Sequence, residues 1–180
     1  ASCSAGVVPT PALQLAVRQS DAIGGVAITA GHNDARWNAL KFCREDGIYL
    51  NDKQAEELLN VYHQKEFTKA AWDKLPPVGS DEFAGDCHLE AIKQQIDVDA
   101  IRAAGLKVAI DCANGACSKF TPRFLADLGC EVVAINDDPD LPFPHEPLPT
   151  PPNLSQLRAL VAAAKADVGF AHDADGDRLG

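Results

Sequence analysis

Three aspartates, Asp173, Asp175 and Asp177, alternate with single residues near the end of the sequence, and Arg178 follows directly. Extended chain points residues i, i+2 and i+4 to one side, so past a strand end the three carboxylates are expected to share a face. Negative charges so close repel unless a cation lies between them. Carboxylate oxygens with room left for water and phosphate suit Mg²⁺, which keeps an octahedral oxygen shell and takes few protein ligands. A calcium loop of the EF-hand kind is a poorer match. It needs Gly at its sixth position, where this sequence has Arg178, and a later Glu that the sequence does not reach. The competing reading is a solvated turn on an acidic surface. Arg178 favours the metal, because a guanidinium beside a metal cluster can hold a phosphate by paired hydrogen bonds.

A second polar loop, Thr29-Ala30-Gly31-His32-Asn33, follows an apolar run and is trailed by Asn38 and Lys41. Taken alone it reads as an ordinary loop, with His32 a surface residue.

The elements that must position these loops are readable from periodicity. Thr10 is placed to cap a helix, Pro11 suits its first position, and Leu13, Ala16 and Val17 put apolar groups at helical spacing up to Ser20. After a Gly24-Gly25 break, Val26 to Thr29 reads as a buried strand. The polar loop Ala30 to Asn38 then leads to Leu40-Lys41-Phe42, and Asp46-Gly47 predicts a hairpin turn before Ile48-Tyr49-Leu50. A helix starts at Asn51, with Gln54 as capping-box partner and Ala55, Leu58, Leu59 and Tyr62 as its inner stripe. Pro, Gly and acidic residues between Asp73 and Asp86 suggest a junction between units 1–85 and 86–180.

The second unit opens with a helix from about Leu89 to Ala104. Short apolar runs follow at Val108 to Asp111, Val132 to Ile135 and Val168 to Ala171, separated by helical segments at Thr121 to Leu128 and Leu154 to Lys165. Asn153 is placed to cap the last helix, with Gln156 behind it. The pattern is β-α-β-α-β, so the fold class is α/β with parallel strands. Ligands of such sheets sit beyond the carboxyl ends of the strands. The loops there are Asp111 to Gly115, Asn136 to Pro139 and Asp173 to Arg178.

Composition limits the function classes. A formal net charge of −10 argues against nucleic acid as a partner, since that binding is driven by neutralising phosphates with Lys and Arg. No apolar run approaches the roughly 18 residues of a membrane-spanning helix, and the opening ASCSAGVV lacks the pattern of a signal peptide, so a soluble cytoplasmic protein is expected. The six cysteines include no C-x-x-C pair and read as reduced thiols. The sequence holds no methionine, which points to trimming or to a piece of a longer reading frame.

Taken together, these segments resemble the alpha-D-phosphohexomutase family, which includes phosphoglucomutases, phosphomannomutases and phosphoglucosamine mutases. That family's active-site loop reads T-A-S-H-N-P followed by N-G-x-K, and here Thr29-Ala-Gly-His-Asn-Asp34 is followed by Asn38-Ala-Leu-Lys41. Its metal loop D-x-D-x-D-R is matched by Asp173 to Arg178. Val108 to Gly115 is similar to the start of its second domain, Phe143 to Leu154 to its F-P-x-x-x-P-x-P-x-x-N-L segment, and Val8-Pro-Thr-Pro11 to its P-T-P helix start. An unrelated Asp-dependent phosphotransferase or sugar-nucleotide transferase would explain the aspartates but not the Gly31 loop or the Phe143 segment.

The resemblance implies two α/β domains of the phosphohexomutase type: a partial first domain over 1–85, and a second over 86–180 that stops after the metal loop. It implies phosphate transfer between the 1- and 6-positions of a hexose or hexosamine phosphate, of the phosphoglucosamine or phosphomannose type. Mg²⁺ would be the cofactor and a hexose bisphosphate the intermediate. Asp173, Asp175 and Asp177 would then hold Mg²⁺. His32 and Lys41 would serve proton transfer and phosphate stabilisation, Arg178 would hold the transferring phosphate, and Thr29, Asn33 and Asn38 would bind phosphate or substrate. The family's phosphoserine position is Gly31, which has no oxygen to phosphorylate, and Asp34 replaces a proline, which should loosen the loop. The chain is therefore expected to be inactive alone. The alternative is a non-catalytic phosphosugar- or Mg²⁺-binding homologue.

Overall fold

A computed structural model of the chain describes residues 1–34, 36–65 and 67–180. Within the expected polar loop Ala30 to Asn38, Ala35 lies outside the described residues. The N-terminal part holds β1 (Cys3–Ser4), α1 (Thr10–Arg18), β2 (Gly24–Ile28), β3 (Leu40–Arg44) and α2 (Asp52–Gln64). β4 (Gly79–Ser80), α3 (Ala84–Lys93) and α4 (Val98–Ala104) lead into β5 (Lys107–Asp111), α5 (Thr121–Asp127), β6 (Glu131–Ile135), α6 (Ser155–Ala164) and β7 (Val168–Ala171).

The C-terminal sheet follows the sequence pattern. Its strands run parallel in the order β6-β5-β7, so β5 is central and apolar on both faces: Val108, Ala109 and Ile110 are buried. Leu157 of α6 packs with Ala109 and Ala171, and Leu160 and Val161 close over them. Gly169 lets α6 come close, since a methyl group there would lie 2.5 Å from the Val161 side chain. No helix among the described residues is long and apolar enough to cross a membrane.

The N-terminal part departs from expectation in several places. β2 and β3 form an antiparallel hairpin, and the Gly24-Gly25 pair lies inside β2 rather than before it. A methyl group at Gly25 would sit 2.5 Å from Val17 and 2.9 Å from the Cys43 sulfur, so glycine lets α1 lie against the strand. The strand is not buried, for Val26 and Ile28 are exposed. The turn at Asp46-Gly47 forms, with Arg44 N–H bonded to the Ile48 carbonyl at 2.9 Å. The capping box of α2 is also present: Gln54 N–H donates to the Asn51 side chain at 3.0 Å, and Asn51 N–H to Gln54 at 3.1 Å. The proposed inner stripe of α2 nonetheless faces solvent, because no residue of this helix is buried. With little tertiary packing behind it, α2 depends on its cap. Asn51→Ala is expected to cost about 1 kcal/mol of helix stability, read as earlier loss of helical ellipticity on heating.

Three helix boundaries also differ. Thr10 is the first residue of α1 and makes no capping bond; Pro9 holds the cap position. The helix expected over Leu89 to Ala104 is two helices, because Asp97 accepts from Ala100 N–H and starts α4. Asn153 does not cap α6. Its amide donates back to the Leu148 carbonyl within a short 3₁₀ turn, Pro151–Leu154, and Gln156 instead bonds Asn136.

Candidate functional site

The site forms where β7 ends. Ala171 and Gly180 exchange backbone hydrogen bonds at 2.9 Å, and His172 pairs with Leu179, so Asp173 to Arg178 is the tip of a hairpin rather than extended chain. Gly176 adopts φ +70°, the left-handed conformation that glycine takes without strain. The aspartates therefore converge by a turn and not by strand alternation. Two main-chain bonds fix this tip to β5 and the loop after it: His172 N–H to the Asp111 carbonyl at 3.0 Å and Ala116 N–H to the Ala174 carbonyl at 2.8 Å. Glycine at 115 permits that approach, because a methyl group there would lie 2.5 Å from the Ala174 carbonyl oxygen.

One oxygen from each of Asp173, Asp175 and Asp177 lies within 4.8 Å of the others. Asp173 is 0% and Asp175 4% exposed. Asp173 Oδ1 accepts the backbone N–H groups of Asp177 and Arg178, at 3.1 and 3.2 Å, whereas its Oδ2 and Oδ1 of Asp175 are buried without a hydrogen-bond partner. Burial, then the charge of Asp175, pushes the Asp173 pKa up to about 6. Two buried, unpartnered carboxylate oxygens in an all-oxygen cluster fit a hard divalent cation.

The N-terminal part reaches this cluster through two side chains. The Lys41 ammonium lies 2.6 Å from Asp175 Oδ2 and 3.3 Å from Asp177 Oδ2. Burial opposes its charge, but the two carboxylates prevail and hold its pKa above the ordinary value. Thr10 donates its hydroxyl to Asp175 Oδ2 at 3.0 Å and its N–H to the Asp175 carbonyl at 2.8 Å. Gly31, buried with φ +60°, faces the same place: a β-carbon there would lie 3.7 Å from Lys41 Nζ and 3.8 Å from Asp175 Oδ2.

The remaining predicted residues differ in their contacts. Arg178 Nε is 3.8 Å from Asp173 and 3.9 Å from Asp177, and its half-exposed side chain leaves donors for a ligand. Thr29 Oγ1 accepts from Gly31 N–H at 3.0 Å, shaping the loop. Asn33 bonds the Ala30 carbonyl and Asn38 accepts from Ala39 N–H, both with local backbone partners. His32 is half-buried. Asp34, at the position of the family's proline, accepts both the backbone N–H and the guanidinium of Arg36 with its carboxylate.

Sequence reasoning missed three contributors. From sequence Thr10 is only a helix cap. Tyr49, whose ring lies 5.9 Å from Lys41 Nζ, was read only as strand. The third is Asp111, 0% exposed, expected in a chemistry-bearing loop but acting as a brace: it accepts from Ala113 N–H at 2.9 Å, Asn136 at 3.0 Å and His145 at 3.0 Å. A buried acid at a strand end, followed by Asn-Gly, was the available signal.

Known proteins resemble this chain over nearly its whole length. Residues 2–69 match the family model described as phosphoglucomutase/phosphomannomutase, alpha/beta/alpha domain I, and residues 86–180 match that of domain II. The chain is 39% identical over 97% of its length to a protein of Methanopyrus kandleri named "Probable phosphoglucosamine mutase". It is 36% identical over 96% of its length to a Thermococcus kodakarensis "Phosphoglucomutase/phosphomannomutase". It spans 38% of the length of each of these relatives. Among solved structures, a phosphoglucomutase/phosphomannomutase family protein from Burkholderia thailandensis superimposes with TM-score 0.80 at 29% identity, covering 96% of this chain and 38% of that one.

Proposed function

Because this chain belongs to the phosphoglucomutase/phosphomannomutase family, we propose that it carries the transfer loop and the metal loop of a phosphohexomutase acting between the 1- and 6-positions of a hexose or hexosamine phosphate. The substrate type that fits best is phosphoglucosamine or phosphomannose, after the names of its relatives. The observation that carries this reading is the position of Gly31, whose missing side chain would point between Lys41 and Asp175. A hydroxyl at that position would stand beside both the cluster and the ammonium.

Asp173, Asp175 and Asp177 would hold Mg²⁺, which when bound neutralises charge developing on the transferring phosphoryl group. Lys41 is close enough to stabilise phosphate at the Gly31 position, and it would exchange a proton with a sugar hydroxyl. Arg178, at the exposed rim of the aspartates, would grip the phosphate by paired N–H bonds. His32, next to Gly31, would assist proton transfer, and Thr29, Asn33 and Asn38 would keep the loop in register. A cytosolic setting fits a sugar-phosphate substrate and six cysteines that are all free.

Gly31 itself cannot accept a phosphate, so the chain as it stands should not turn over hexose phosphates. That residue also favours a second reading, a homologue that binds phosphosugar and Mg²⁺ without transfer. Gly31→Ser separates the two. Serine at φ +60° strains the loop by roughly 1 to 2 kcal/mol, but it restores the acceptor. Incubated with Mg²⁺ and a hexose 1,6-bisphosphate, the Gly31→Ser chain should gain one phosphate by intact mass and the wild type none. A folded Gly31→Ser chain that stays unmodified would favour the binding-only reading.

A further inference from the structure

We infer that Thr10 is a positioning residue of the metal loop, holding Asp175 so that one chosen oxygen is offered to the cation; this rests on the metal reading above. The two oxygens of Asp175 have different surroundings. Oδ2 receives the Thr10 hydroxyl at 3.0 Å and the Lys41 ammonium at 2.6 Å. Oδ1 is buried and receives nothing. A carboxylate held on one oxygen by two donors cannot rotate without breaking both bonds, so the free oxygen is held in one direction. Thr10 also donates its N–H to the Asp175 carbonyl at 2.8 Å, which fixes the main chain of the same residue.

Thr10 is itself packed in place. It is 3% exposed and opens α1, where Pro9 and Pro11 restrict the backbone on both sides. Pro9 lies against the turn as well: a methyl group at Gly176 would come within 3.2 Å of its β-carbon. The Pro9-Thr10-Pro11 segment therefore acts on the metal loop of the other half of the chain. Its hydroxyl is positioned by α1, and α1 in turn packs against α3. A hydrogen bond orienting a metal-ligating carboxylate is the kind of outer contact that sets affinity without touching the ion.

The test is Mg²⁺ titration by calorimetry on the 180-residue chain, with Mn²⁺ and electron paramagnetic resonance as a second probe. Thr10→Val keeps the shape and the backbone N–H but removes the hydroxyl, and Thr10→Ser restores it. Thr10→Val should weaken both cations about tenfold, and Thr10→Ser should bind within about twofold of wild type. A purely structural role would lower the melting temperature of Thr10→Val and leave its affinity unchanged, which overturns the inference while sparing the metal reading. Wild type that binds neither ion overturns both.

Discussion

Replacing Asp111 by Ala should cost the chain about 3 to 5 kcal/mol of folding stability, the scale of removing one side of a buried charged hydrogen-bond network. Asp111 is fully buried at the end of the central strand, and its two oxygens accept from three donors: Ala113 N–H and the Asn136 amide on one, His145 Nε2 on the other. Alanine removes the shared acceptor: Ala113 N–H is left without one, while the Asn136 amide keeps only Gln156 and the His145 ring only the Glu146 carbonyl. It also frees a tight turn, because Ala113 and Asn114 both stand at positive φ, 50° and 53°, a conformation that needs outside support in residues other than glycine. The damage should spread to the aspartate hairpin, whose backbone bonds the residues at both ends of this turn. Asp111→Asn keeps one carbonyl oxygen for the Ala113 and Asn136 donors and should lose clearly less. Urea denaturation of both variants gives the order; a cost below about 1 kcal/mol for Asp111→Ala, small for the loss of a buried network, would remove Asp111 from the role of brace.

Asp173→Asn should act in opposite directions with and without metal. The Asp173 pKa, about 6 in the folded chain against an ordinary 3.8, means that folding disfavours its ionised form. Stability lost to that ionisation is largest above pH 6, shrinks as the pH falls, and vanishes below the unfolded value. Asparagine never ionises and still offers an oxygen to the Asp177 and Arg178 N–H groups. The metal-free variant should therefore be more stable than wild type by about 1 to 2 kcal/mol at pH 8, with the gap closing toward pH 4. Adding Mg²⁺ should reverse the order, since wild type gains binding energy and a cluster short of one charge gains little. Thermal melts at both pH values, with and without Mg²⁺, check this. A gap that does not change with pH, or an equal Mg²⁺ response in both forms, would contradict it.

Much of the C-terminal half was legible from sequence, because its signals are local. Three apolar runs with helical segments between them require a parallel sheet, and β6-β5-β7 is that sheet. The cap at Asn51 and the turn at Asp46-Gly47 were readable for the same reason: donor, acceptor and backbone preference all lie within a few residues. The D-x-D-x-D-R spacing marked the carboxylates, although a hairpin tip rather than an extended strand brings them together.

Periodicity misled where burial depends on distant chain. The apolar stripe of α2 resembles a core face but is exposed, and the Gly24-Gly25 pair resembles a break but makes room for α1. The kinds of element, the carboxylate triplet and the glycine at position 31 follow from residue types and their local spacing. Folding alone brings Thr10 and Lys41, 165 and 134 residues from Asp175, onto one of its oxygens and leaves the other bare. A residue's type and neighbours set which bonds it can make. Which bond forms depends on the groups that packing brings within reach once water is excluded, and no local pattern carries that information.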